Sequence, residues 1–169
     1  MPIQRDQKQH TFDWSYNFFK HKGLESKYSD FAMLEWTLRF PTTTVVIWPR
    51  ATAMPTKMSK TRTLVSNGIG EILYEKTVSV TNHGLASLVF HAYGQEPWHA
   101  AKVSQLVDSE ANSDQMTVLV MFVLTPNMND TGLVKANMRA HYGIQKSSVH
   151  VADTHTQSMV IAEAVLNPN

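Results

Sequence analysis

The chain has no cysteine in its 169 residues, which excludes disulfides, thiol nucleophiles and cysteine zinc knuckles and fits a reducing compartment. It also lacks an excess of charge of either sign. Fifteen Lys plus Arg against fourteen Asp plus Glu leave +1, so no overall field draws it to nucleic acid or acidic membranes, and any polyanion site must be local. No apolar run approaches the roughly 18 residues that span a bilayer. The opening residues, Met1 to His10, have no apolar core of a secretory signal. A soluble, cytoplasmic or nuclear protein is expected, with no membrane partner and no nucleic-acid partner. A glycine-rich phosphate loop of the Walker or dinucleotide type is missing too.

What is present suffices for one core: 43% of residues are hydrophobic and 17% charged, in a length that suits one domain. Phe12, Trp14, Tyr16, Phe18, Phe19, Tyr28, Phe31 and Trp36 are half of the aromatic residues. Residues 1–36 therefore read as an aromatic-rich N-terminal extension, flexible up to about residue 11, and residues 37–169 as the domain proper. The extension fits an extra layer packed across the domain, burial being the commoner use of aromatics. It also fits a surface for a protein partner or a homo-oligomer.

Thr44-Val45-Val46-Ile47-Trp48 is a continuous β-branched and aromatic run ended by Pro49, and Met116 to Leu124 is a longer one. Both predict strands buried on two faces. Lys76 to Val80 and Ser148 to Val151 alternate instead, as edge strands do. Between them, Leu64, Val65, Ile69, Ile72 and Leu73 recur at helical spacing around two weakening glycines, Gly68 and Gly70. Leu85, Leu88, Val89 and Ala92 outline a helix capped by Asn82 and stopped by Gly94, and Leu133, Ala136 and Ala140 one ended by a left-handed Gly143. Thr154 and Gln157 match a capping box before a last helix over 159–166. Residues 108–114 and 125–132 read as loops. The order β, α, β, α, β, α, β, α predicts an α/β (α+β) fold, a ferredoxin-like four-stranded sheet with helices packed on one face.

The segment from Ser147 to Thr154 carries the most chemistry. On its strand Val149 and Val151 face one way and Ser148, His150 and Ala152 the other. The last helix starts four residues after His150, so its free N–H groups and positive end lie near the imidazole. That makes a candidate phosphate site, with Thr154 at the cap and Asp153 either orienting the imidazole or capping. A structural, hydrogen-bonded edge-strand histidine is the competing reading. A Ser-His-Asp triad from Ser147 or Ser148, His150 and Asp153 fails, since neighbours along one strand do not converge. A metal site of His150, Asp153 and His155 matches no established ligand spacing.

Between Glu35 and Glu71 there is no acidic residue, while Arg39, Arg50, Lys57, Lys60 and Arg62 are basic. Arg50 leaves the first inner strand and Lys60 sits where a helix should begin, so both can meet a phosphate. Lys135 and Arg139 share a helix face at i and i+4. A solvated basic face without a ligand is the plainer reading of the stretch.

Met138-Arg139-Ala140-His141-Tyr142-Gly143-Ile144 resembles the Ile-Arg-Gly-Asp-Phe-Gly-Ile of the nucleoside diphosphate kinase family. Ser148-Val149-His150-Val151-Ala152-Asp153-Thr154 resembles its Val-Ile-His-Gly-Ser-Asp-Ser. The likeness lies mainly in residues 138–166. It implies a ferredoxin-like domain, His150 as phosphate-accepting nucleophile, Arg139 as a phosphate contact, Asp153 in the following turn, and Mg with a nucleotide. The chain departs from that family at Trp48-Pro49-Arg50, where the family has Lys-Pro-Asp, at Ser147 in place of an asparagine, and at Ile161 in place of a glutamate. The short span from Thr125 to Gly132 leaves no length for its nucleotide-covering loop.

Two functions are therefore expected in competition. One is a phosphate- or nucleotide-binding domain with phosphoryl transfer through His150 and Asp153, its phosphate held by Arg139, Arg50, Lys60 and Thr154. The other is a non-catalytic protein-interaction or dimerisation module that uses the aromatic segment and leaves His150 structural. RNA binding on the sheet face is disfavoured, because the strands lack the aromatic RNP pattern.

Overall fold

The computed structural model describes residues 27–94, 98–107, 116–125 and 131–167. The two continuous runs form β1 (Thr42–Ile47) and β3 (Met116–Leu124), and the alternating ones lie in β2 (Ile72–Val80) and β4 (Val149–Val151). All pairs are antiparallel in the order β2-β3-β1-β4. The expected inner strands are inner, the expected edges are edges, and the order is that of a ferredoxin-like sheet. Register is set by apolar pairs such as Val46 opposite Val120.

Seven α-helices surround the sheet among the described residues: α1 (Lys27–Arg39), α2 (Pro49–Thr52), α3 (Met58–Gly68), α4 (Asn82–Tyr93), α5 (His99–Val107), α6 (Gly132–Tyr142) and α7 (His155–Leu166). They do not lie on one face. Val45, Ile47, Met121 and Val123 pack with Val65 of α3 and with Val134, Met138 and Tyr142 of α6. On the opposite face Val46, Val118, Val120 and Phe122 pack with α1, α4, α5 and α7 through Trp36, Leu85, Leu106 and Ile161. The reason is in the strands. Every residue of β1 is buried, and each Val or Ile so covered contributes about 1.5–3 kcal/mol, so both faces of the inner strands require a helical layer.

Other local expectations shift for physical reasons. The helix expected to reach Leu73 ends at Gly68, and Ile72 opens β2. A Cβ on Gly70 would lie 2.0 Å from the carbonyl oxygen of Leu124, and one on Gly68 would lie 2.3 Å from Val134 Cγ2. The two glycines thus mark close approaches to β3 and α6. In α6 the buried stripe is Val134, Met138 and Tyr142, whereas Leu133 is 73% exposed. The larger side chains at i, i+4 and i+8 take the core, one or two positions beyond the expected Leu133, Ala136 and Ala140. Gly143 ends the helix in the left-handed conformation as expected, at φ 72°. Thr81, not Asn82, caps α4, accepting from the Gly84 N–H at 3.2 Å. Helix α5 was not expected.

Helix α1 runs past position 36, where the aromatic extension was expected to end, and buries Met33 and Trp36. It is tied to α7, whose His155 Nε2–H donates to the Thr37 carbonyl at 2.6 Å. Phe12, Trp14, Tyr16, Phe18 and Phe19 lie outside the described residues, as do the acidic loop at 108–114 and most of the 125–132 connection. No described helix is long and apolar enough to cross a membrane.

Candidate functional site

Strand β4 is three residues long, and its alternation sends Val149 and Val151 into the α3–α6 layer. His150 therefore turns to the other side, where it is 7% exposed. There it meets the ring of Tyr93, edge to face, with centroids 4.4 Å apart. Since β4 is a sheet edge, the two helical layers approach each other beside it, and between them lies a cavity of 520 Å³.

Besides His150 of β4, five segments build its wall. Ala92 and Tyr93 end α4; Trp98, Ala101, Lys102 and Gln105 come from α5 and its approach; Lys135 and Arg139 come from α6. Lys146 stands in the 3-10 turn before β4, and Asp153 and Gln157 at the start of α7. The capping device of α7 holds this last corner. Thr154 Oγ1 accepts from the Gln157 N–H at 3.2 Å, and Gln157 Oε1 accepts from the Asp153 N–H at 2.8 Å, one residue before the expected position.

The charge is lopsided. Among the described residues four cations, Lys102, Lys135, Arg139 and Lys146, line the cavity with one carboxylate, Asp153. Lys135 pairs with Asp153. Lys102 is 6% exposed, donates to the Lys146 carbonyl and lies 5.7 Å from the Tyr93 ring centroid. Burial, then the charges of Arg139 and Lys146, lower its ammonium to about 8. His150 is lowered to about 4, first by burial, then by Lys135, against the opposing pull of Asp153, with Lys102 and Arg139 adding to the fall. Its imidazole is neutral at pH 7. Burial also raises the Tyr93 phenol to about 12. Two buried polar atoms in this wall, Arg139 Nε and His150 Nε2, have no hydrogen-bond partner among the described residues.

Of the residues singled out in the sequence, His150, Arg139 and Asp153 line the cavity, together with Lys135. Thr154 is engaged as the cap. The expected convergence of Arg50 and Lys60 on the same site is not found. Arg50 lies in α2 at the C-terminal end of β1, which the antiparallel pairing sets beside the start of β4 and not beside the β4–α7 turn. Lys60 is exposed on α3, across the sheet. The rest of the basic stretch is largely occupied: Arg62 makes a two-point pair with Glu75 at 2.7 and 3.0 Å, Arg39 pairs with Glu35, and Lys57 donates to the His141 carbonyl at 2.6 Å.

Ser148 Oγ donates to the Gln145 carbonyl at 2.6 Å, which leaves no triad. With His155 committed to Thr37, the metal grouping is not assembled either, and no described set of three His, Cys, Asp or Glu side chains is placed to hold an ion. The sequence reading missed Tyr93, Trp98, Lys102, Gln105 and Lys146. Trp98, Lys102 and Leu106 fall at i, i+4 and i+8, but the lysine among them hides that face from a reading by apolar periodicity. No protein-family model, curated protein or solved structure matches the chain.

Proposed function

We propose that this cavity binds a phosphorylated small molecule, a nucleotide, with its phosphates among Lys102, Lys135, Arg139 and Lys146. The observation that carries the reading is the buried Arg139 Nε–H without an acceptor among the described residues, which give the wall four cations and one carboxylate. An unmatched buried donor costs about 1–3 kcal/mol, and a phosphate oxygen removes that cost while matching the charge. Trp98, 46% exposed and edge-to-face with Tyr93 at 4.8 Å, offers a ring on which a base can stack. The cavity volume suits a ligand of this size.

The finer reading is phosphoryl transfer through His150. Its neutral imidazole can act as a nucleophile. Nε2 is closed to solvent, so attack falls to Nδ1 and the proton resides on Nε2. The bond formed is P–Nδ1, the bond broken is the terminal bridging P–O of a nucleoside triphosphate, and the departing diphosphate takes the electron pair.

Calorimetric titration with a panel of nucleoside di- and triphosphates tests the binding. Saturable heat is expected for wild type and a loss of about tenfold or more in affinity for Arg139→Ala. No heat across the panel would favour the interaction module with a structural His150. Acid-labile phosphate on wild type after incubation with a triphosphate, absent in His150→Ala, tests the transfer.

A further inference from the structure

Resemblance to nucleoside diphosphate kinases implies Mg with the nucleotide, and the residues here do not fit that ion. Mg²⁺ takes about six oxygen ligands in octahedral array and is usually anchored by one or two carboxylates. Among the described residues the only carboxylate in the cavity wall is Asp153, and Lys135 already holds it. Of the two amide side chains there, Gln157 spends its oxygen on the Asp153 N–H, which leaves Gln105. Among the described acids elsewhere, Asp30 is held by Tyr74 and Lys76, Glu35 by Arg39 and Glu75 by Arg62, and none of them lines the cavity.

Electrostatics points the same way. Lys102, Lys135, Arg139 and Lys146 would repel a dication, while each phosphate charge that a metal covers is one fewer for them to attract.

We infer that the cavity is built for the metal-free form of a nucleoside polyphosphate, with the four side-chain cations in the place that a divalent ion takes elsewhere. The inference rests on the nucleotide reading above and narrows it. Lys102 supplies a buried positive charge, Arg139 the unmatched donor, and Lys135 a cation that can exchange Asp153 for phosphate.

The test is calorimetric titration of the full chain with ADP, once in EDTA and once in excess Mg²⁺. Binding in EDTA should be at least as tight as with Mg²⁺, and up to about tenfold tighter. Weaker binding in EDTA overturns the inference and leaves the nucleotide reading standing. No binding in either buffer overturns the nucleotide reading and this inference with it.

Discussion

Arg139 keeps a buried Nε–H without a partner among the described residues, a local penalty that a ligand relieves. Arg139→Leu should therefore separate stability from affinity. The melting temperature should hold or rise, while calorimetric ADP affinity drops by about tenfold to a hundredfold, the worth of a charge-assisted hydrogen bond. His150 gives a pH signature. Its ordinary value of 6.5 falls to about 4 in the folded protein. Between those values the unfolded chain binds the proton and the folded one does not, so stability should decline as pH drops from about 6.5 to about 4 and level off below. The full effect is about 3 kcal/mol. Urea midpoints measured across that range should show it, and His150→Leu should flatten the curve. Lys102, lowered to about 8, acts on binding instead. Above that pH the free site loses a cation, so ADP affinity should fall by up to about tenfold per pH unit, a slope that Lys102→Met should remove.

The elements show why part of the site was legible in the sequence. β1 and β3 announce themselves as unbroken β-branched runs, and β4 lies between a left-handed glycine and a capped helix, so His150, Asp153 and Arg139 could be placed near one another before any coordinates. α5 was invisible because its buried face carries a lysine. Lys102 interrupts the apolar stripe that would otherwise run to Leu106, and periodicity cannot tell such a residue from a solvated one. The turn before β4 was equally silent. It places Gln145 at φ 54°, in the left-handed region, where a non-glycine residue pays about 1–2 kcal/mol. Gln145→Gly should raise stability by about 1 kcal/mol in urea denaturation. At the other glycine contact the sign reverses: Gly70→Ala drives a methyl into the Leu124 carbonyl and should cost about 2–4 kcal/mol in the same assay.

At the scale of the whole molecule, the expected sheet order held but the layering did not. Edge and centre could be told apart from alternation. The division of the helices between two layers could not, because a helical stripe shows which residues are buried but not which face of the sheet covers them. The consequence for function is large, since a one-layered sheet would leave His150 facing water and no cavity beside β4. A ligand seated between the layers should also act on the global equilibrium. At a hundredfold excess over Kd it should raise unfolding free energy by about 2.7 kcal/mol, and that gain should shrink with added salt as the cations are screened.

Strand β4 joins the sheet only through β1, where His150 sits opposite Val46. That pairing closes a loop of about a hundred residues for three residues of ladder, a costly closure that the chain can make only once its other parts are in place. The cavity wall should therefore be the latest piece to assemble on refolding and the earliest to open. In hydrogen exchange, the Ala152 amide, which donates to the Thr44 carbonyl, and the His150 amide opposite Val46 should be less protected than those of β3, and nucleotide should slow them first, acting as a clasp between the two helical layers beside β4.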